Sequence, residues 1–248
     1  MTKPSSRSDI AYAALRQAII EQAILPGTKL PEDEIGTQFG MSRTLVRATL
    51  ARLQAEGLVD ALPRRTATVA QPSLEEAREV FEVRKALERE VVRLVAKRWR
   101  PEFGAELEGH VRKEEAARAL DDERVSIRLA GEFHARLAEM AGNGLLMRYL
   151  REVISRCSLI LALYGRPHSS DCAVNEHSEI LAALRRGDGE AAADLMDHHV
   201  GAVERRALIG EKPVEADLGT VLARYAGAVA GTAEGAVPIR RTSGRKAT

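Results

Sequence analysis

The chain has 248 residues, 45% of them hydrophobic but only 4% aromatic, and a formal net charge of +1 at pH 7. That length suits one large or two modest domains with a real core. The abundance of Ala, Leu, Arg and Glu favours helices over sheets, and near-neutrality excludes a polycation that holds nucleic acid by bulk charge. No run approaches the roughly 18 apolar residues of a membrane span, and the first residues lack an apolar signal core. Cys157 and Cys172 form neither a CxxC pair nor a disulfide framework. Together these features predict a soluble, cytoplasmic chain.

Ile10, Ala14, Leu15, Ala18 and Ile19 recur at helical spacing and predict a helix over 9–23, ended by Pro26-Gly27. A second, short helix follows Pro31 with Ile35 and Phe39 inward, and Gly40 is the expected left-handed turn residue. The third helix has an expected apolar face of Leu45, Val46, Leu50 and Leu53, and a polar side of Ser42, Arg43, Thr44 and Arg47. Gly57 closes it. Leu58-Val59 and Ala67–Val69 then predict two short strands around the basic tip Pro63-Arg64-Arg65-Thr66. Residues 1–72, with nine Lys/Arg against seven Asp/Glu, therefore read as a winged helix-turn-helix domain.

From Ser73 onward the strand signals stop. Ser73 with Glu76 is a capping-box pattern, predicting a long helix to about Trp99. Further helices are expected over 102–119, 122–141, 145–164, 172–186 and 189–209, broken at Gly142-Asn143, Gly165–Pro167 and Gly187-Asp188. Six helices with short connections make residues 73–212 an antiparallel all-helical bundle. Residues 213–248 are expected to be a partly disordered tail with one short helix near 215–229. The fold class is mostly α.

Two groups of residues carry chemistry. Arg43 and Arg47 are four apart and project from one side of the third helix. One of them is expected to grip a guanine edge while Ser42 and Thr44 touch phosphate. Arg64 and Arg65 at the wing tip are expected to meet phosphate or the minor groove. Solvated arginines at a helix start and a hairpin tip are the bland alternative. The second group is His134, His177 and His199, on three different helices and each among apolar residues. Spacing alone leaves two readings open: three separate core histidines, or three ligands of one divalent cation. His198 is expected to face solvent, and His110 and His168 to be surface and loop residues. Asn143 is expected to end a helix, and Cys157 and Tyr164 to pack in the core.

Leu25–Leu30, Gly40–Arg47 and Glu56–Val59 in the first part, with Gly131–His134, Ala141–Asn143, Glu176-His177, Ala183–Asp188 and Met196–His199 in the second, resemble the GntR family of bacterial transcription regulators. The second set is similar to the FCD ligand-binding domain of its FadR-like subfamily. The resemblance implies a homodimer on a near-palindromic double-stranded DNA operator, most often a repressor, and no enzyme. It implies that a small metabolite such as a carboxylate binds the helical domain and alters DNA affinity. It places DNA contacts at Ser42, Arg43, Thr44 and Arg47, and metal ligands, for zinc or nickel, at His134, His177 and His199. A matching arginine, Arg84, often faces the ligand cavity. A metal sensor without organic effector, and a metal-dependent hydrolase, are the alternatives; no general base is legible beside the histidines.

The chain departs from the family pattern at four places. Ala48 stands where a Glu usually follows the second arginine, and Thr66 where the wing usually has Gly. Asp33 replaces a basic contact residue of some members. Ala130 replaces the Asp that supplies the anionic metal ligand, which leaves an open coordination position for water or an effector carboxylate.

Overall fold

A computed structural model describes residues 6–61, 65–165 and 170–207, together with 218, 219, 222, 223 and 226. Helix α1 (Arg7–Ile20) opens on a capping box in which Ser6 Oγ accepts from the Asp9 N–H and Asp9 in turn accepts from the Ser6 backbone. It ends three residues before the expected boundary, because Gln22 takes a positive φ of 57° and turns the chain there. The extended pair β1 (Lys29–Leu30) leads into α2 (Glu32–Phe39). Gly40, at φ 61°, makes the left-handed turn into α3 (Arg43–Ala55). The Ser42 hydroxyl oxygen caps α3 by accepting from the Leu45 N–H.

Strands β2 (Val59–Asp60) and β3 (Ala67–Val69) follow, and β3 lies between β1 and β2 in a three-stranded antiparallel sheet. The β1 strand lies outside the sequence reading: two residues are too short for a period-2 signal, and pairing with β3 alone defines it. Arg64, at the wing tip, lies outside the described residues. Leu45 was expected in the apolar face of α3, but it is 44% exposed and shares the outer side of the helix with Arg43, Thr44 and Arg47. Val46, Leu50 and Leu53, with Thr49 between them, form the buried side of α3, and the three apolar residues share one core with Leu15, Ile19 and Ile35.

Six helices form the rest: α4 (Leu74–Lys97), α5 (Pro101–Ala119), α6 (Glu123–Met140), α7 (Gly144–Tyr164), α8 (Ser170–Arg185) and α9 (Gly189–Ala207). Ser73 caps α4 and Pro101 opens α5 at its first turn, where a missing N–H costs nothing. Asn143 does not end a helix as expected. Its side chain accepts from the Leu145 and Leu146 N–H groups and so starts α7, while Gly142 at φ 64° supplies the left-handed turn. Helix α4 runs through the middle of the bundle, packed by α6, α7, α8 and α9. Its buried stripe of Ala77, Phe81, Arg84, Glu88, Val91 and Val95 includes two charges.

The two units touch through α6 and α7. Leu159 of α7 is fully buried in the core of the N-terminal unit, and Arg128 of α6 donates to Glu21 at 2.8 Å. Tyr164 donates its hydroxyl to the Pro72 carbonyl at 3.0 Å, a partner that core packing alone does not require. Residues 218, 219, 222, 223 and 226 are helical, as the tail pattern predicts, and Leu222 is buried in the N-terminal core with Leu218 and Ala226 against it. The expected disorder of the tail falls outside the described residues.

Gly40→Ala is expected to destabilise the protein by about 1–2 kcal/mol, since a Cβ at positive φ is strained and would meet Arg7 Nη1 at 3.2 Å. Urea denaturation followed by circular dichroism measures it; an unchanged midpoint counts against the left-handed turn.

Candidate functional site

The N-terminal unit presents α3 outward. Ser42, Arg43, Thr44, Leu45, Arg47 and Ala48 are all exposed, whereas Val46, Thr49 and Leu50 are buried beneath them. The sequence-predicted DNA residues of α3 thus share one open face. The Ser42 oxygen accepts the cap bond from Leu45, which leaves its O–H as a donor for phosphate. Arg65, at the base of the wing tip, is exposed as well. Arg43 and Arg47, the two arginines on this face of α3, have partners that the sequence pattern does not reveal: Arg43 pairs with Asp33 and Arg47 with Glu32, both in the first turn of α2.

In the bundle, His134 from α6, His177 from α8 and His199 from α9 come together. Each is about 98–99% buried, and their ligand nitrogens lie within 4.8 Å of one another. Nε2 of His199 is 3.3 Å from Nε2 of His177 and 3.2 Å from Nε2 of His134. The outer nitrogen of each ring meets a carboxylate. His134 Nδ1 bonds Glu88 Oε2, His177 Nδ1 lies 2.9 Å from Glu114 Oε2, and His199 Nδ1 lies 2.6 Å from Glu176 Oε2. An ionised carboxylate can only accept, so each Nδ1 carries the proton and each Nε2 turns a lone pair toward the other two. Phe133 stacks on the His177 ring at a centroid distance of 4.0 Å and fixes its plane.

Arg84 lies behind this cluster, 5% exposed. Its Nε donates to Glu88 Oε1 at 2.6 Å and its Nη1 to Cys157 Sγ at 3.0 Å. The expected surface position of His110 is wrong: it is 2% exposed. Its Nε2 donates to the Leu129 carbonyl at 2.8 Å and lies 3.4 Å from Glu114, and its Nδ1 accepts from Arg136 at 3.1 Å. Five α5 residues, Phe103, Leu107, His110, Glu114 and Ala117, form one helical stripe, so His110 and Glu114 point inward with the apolar residues around them. His198 is exposed, as expected. His168 lies outside the described residues.

Two family models match the chain. The model described as bacterial regulatory proteins, gntR family, matches residues 7–69, and the FCD domain matches residues 79–202. The chain belongs to the GntR family. This GntR chain is a transcription regulator with a DNA-binding helix-turn-helix unit and an FCD domain, not an enzyme. It is 28% identical over 195 residues to the HTH-type transcriptional repressor RspR of Escherichia coli K12, covering 76% of this chain and 83% of that protein. It is 30% identical over 184 residues to the "Probable D-xylose utilization operon transcriptional repressor" of Paenarthrobacter nicotinovorans, covering 74% and 81%. Among solved structures, E. coli McbR/YncC superposes with a TM-score of 0.70 at 22% identity, covering 81% of this chain and 98% of that one. A GntR transcriptional regulator of Rhodococcus sp. RHA1 gives 0.71 at 24%, covering 82% and 98%. At those identities the two structures establish a shared fold.

Electrostatics in this GntR regulator follow from burial. Desolvation pushes the His134 pKa down to about 4, against the pull of Glu88, and drives His199 well below the ordinary value, with His177 and His134 adding to it. Burial raises the Glu88 carboxyl, but His134 and Arg84 outweigh it and bring its pKa to about 2. Burial likewise opposes ionisation of Glu114, and the hydrogen bonds from His110 and His177 prevail and lower it. The result is neutral imidazoles at His134 and His199 beside ionised Glu88 and Glu114, and the neutral imidazole is the form in which histidine binds a cation. The roles of Glu88, Glu114 and Glu176 escape the sequence pattern, which holds Glu176 only as part of the Glu176-His177 motif. For Glu88 and Glu114 a signal was present: each is a charged residue set in an apolar helical stripe.

Because the folded-state pKa of His134 is depressed below its unfolded value near 6.5, the stability of the metal-free protein is full above that pH. It is lost as pH falls from there through about 4, by on the order of 3 kcal/mol for this one residue. Thermal melts in EDTA between pH 7.5 and 4 are expected to show the decline, and His134→Asn to flatten it; parallel curves refute a buried neutral His134.

Proposed function

We propose that the chain is a cytoplasmic, homodimeric repressor of a near-palindromic operator, controlled by a small carboxylate bound in the helical domain on a divalent ion such as zinc or nickel. The proposal rests above all on the convergence of three Nε2 lone pairs, each fixed by a carboxylate on the far side of its ring. An ion held tetrahedrally by imidazole nitrogens at about 2.0–2.1 Å needs those nitrogens about 3.3–3.4 Å apart. Two of the three spacings, His199 to His134 at 3.2 Å and His199 to His177 at 3.3 Å, fit, and all three ligand atoms lie within 4.8 Å of one another. Without a cation, three facing lone pairs in a sealed pocket repel one another and find no donor.

His134, His177 and His199 would hold the ion, which would act as a Lewis acid for an anionic ligand. With Ala130 in place of the usual Asp, the described donors are three neutral imidazoles, and at least one coordination position falls to water or the effector. Arg84 is the cation for the effector carboxylate to engage; in this state Glu88 occupies it. The three glutamates spend their charge on the outer ring nitrogens, which leaves none aimed at the centre as a general base. That favours a sensor over a hydrolase.

Helix α7 connects the two sites. Cys157 bonds Arg84 behind the histidines, and its neighbour Arg156 pairs with Glu76 and lies against Gly57 at the end of α3. Leu159, one turn along from Arg156, sits in the core that seats α3. A ligand that takes Arg84 from Glu88 and Cys157 shifts α7 against that core. The spacing of the two recognition helices in a dimer changes, and operator affinity with it. Repression is the direction because RspR and the Paenarthrobacter relative are both named repressors.

Glu114→Gln is expected to lower metal affinity about 10–100-fold while leaving the fold intact. His199→Ala is expected to abolish stoichiometric metal binding and retain DNA binding in gel shifts with genomic fragments. Metal content unchanged in His199→Ala, read by mass spectrometry of the dialysed protein, refutes the centre. Arg47→Ala is expected to weaken selected DNA by roughly 1–3 kcal/mol; undiminished affinity removes α3 from the duplex.

A further inference from the structure

The open face of α3 is not simply a cationic surface. Glu32 receives Arg47 at Nε, with Oε1 and Oε2 at 2.8 and 2.9 Å. Asp33 takes Arg43 along one edge of the guanidinium, Nε to Oδ1 at 2.8 Å and Nη2 to Oδ2 at 3.1 Å. Both arginines are about 70% exposed, as is Asp33. Ion pairs this exposed contribute little to folding, so stability does not account for two of them side by side on the same face. They also neutralise the charges that a duplex would otherwise meet. The first turn of α2 adds Glu34, so the end of a helix that ordinarily attracts phosphate is carboxylate-covered here.

The direction of the bonds decides what remains. In both pairs the carboxylate sits on the Nε side of the guanidinium. Among the described residues the outer nitrogens of Arg47, Nη1 and Nη2, keep their hydrogens for a partner beyond the protein, and Nη1 of Arg43 does likewise. Two parallel N–H groups at the end of a guanidinium match O6 and N7 of guanine in the major groove. A carboxylate behind the fork holds the side chain extended, removes rotamer freedom that binding would otherwise cost, and cancels the net charge that makes a free arginine stick to any phosphate.

We propose that Glu32 and Asp33 are specificity-determining positioning residues, which convert Arg47 and Arg43 from phosphate-binding cations into pre-oriented readers of guanine. The proposal rests on the assignment of these arginines to the duplex, and it identifies the bases they select. Their carboxylates touch the arginines, not the reacting or recognised atoms themselves, and act through them.

The test uses the full chain and two probes: a 30-base-pair duplex pool of random sequence, and the sequences that the wild-type protein enriches from that pool over successive rounds. Wild type, Glu32→Gln, Asp33→Asn and the double variant are compared by fluorescence anisotropy from 50 to 300 mM salt, with melting curves as a folding control. The double variant is expected to bind the unselected pool at least about tenfold tighter, with a salt slope steeper by up to about 1.8 for each protomer on the duplex, as two uncancelled charges per protomer imply. It is also expected to enrich sequences with weaker guanine preference at the arginine-facing positions, whereas Asp33→Glu, which keeps a carboxylate there, retains the wild-type preference. Unchanged pool affinity and slope overturn the proposal. So does tighter pool binding with the guanine preference undiminished, because the carboxylates would then merely repel phosphate. If the wild type itself enriches no sequence, the assignment of α3 to DNA fails instead, which is a distinguishable result.

Discussion

Three imidazoles share one small volume because three carboxylates stand behind them. Each glutamate takes the outer N–H of one ring, so the inner nitrogens have no choice but to face each other. Burying Glu88 and Glu114 is costly unless each finds full hydrogen-bond partners. Arg84, His110 and the two histidines supply them. The packing of α4, α5, α6, α8 and α9 around one polar centre follows from that requirement as much as from the apolar stripes.

The same network ties the centre to the DNA-binding unit. Arg84 links Glu88 of α4 to Cys157 of α7, and α7 carries Leu159 into the core beneath the recognition helix. One rigid helix therefore touches both sites within less than a turn, with Cys157 on one side and Arg156 on another. The recognition face repeats the theme at the surface, with carboxylates holding guanidinium groups in place. Inside the bundle the pairing satisfies buried charge; outside, where it adds little stability, it sets orientation.

Much of the architecture was legible in the residue pattern. The 3.6-residue periods, Ser73 as a cap, Gly40 and Gly57 as turn residues and Pro101 as a helix opener are local signals, and the structure uses each of them as such. Misreadings fell where local signals are ambiguous. Leu45 is apolar and one residue from Val46, yet the angle between them on the helix turns it outward. Asn143 is a good cap at either end of a helix, and only the φ of Gly142 decides which. The strand Lys29–Leu30 has too few residues to announce itself. His110 reads as a surface residue until its neighbours Leu107 and Val111 are seen to be buried beside it.

The sequence by itself determined the helix-turn-helix with its wing, the helical bundle, and the placing of three histidines among apolar residues on separate helices, because each is written in spacing along one chain; reading them as ligands came from the family resemblance. What the tertiary structure alone decided is which atoms meet. Glu88 lies 46 residues from His134, Glu114 lies 63 from His177, and Glu176 lies 23 from His199. Asp33 and Glu32 sit 10 and 15 residues from their arginines. Such pairings depend on the angles at which helices cross and on which ring nitrogen keeps its proton, and neither quantity is encoded in a local period.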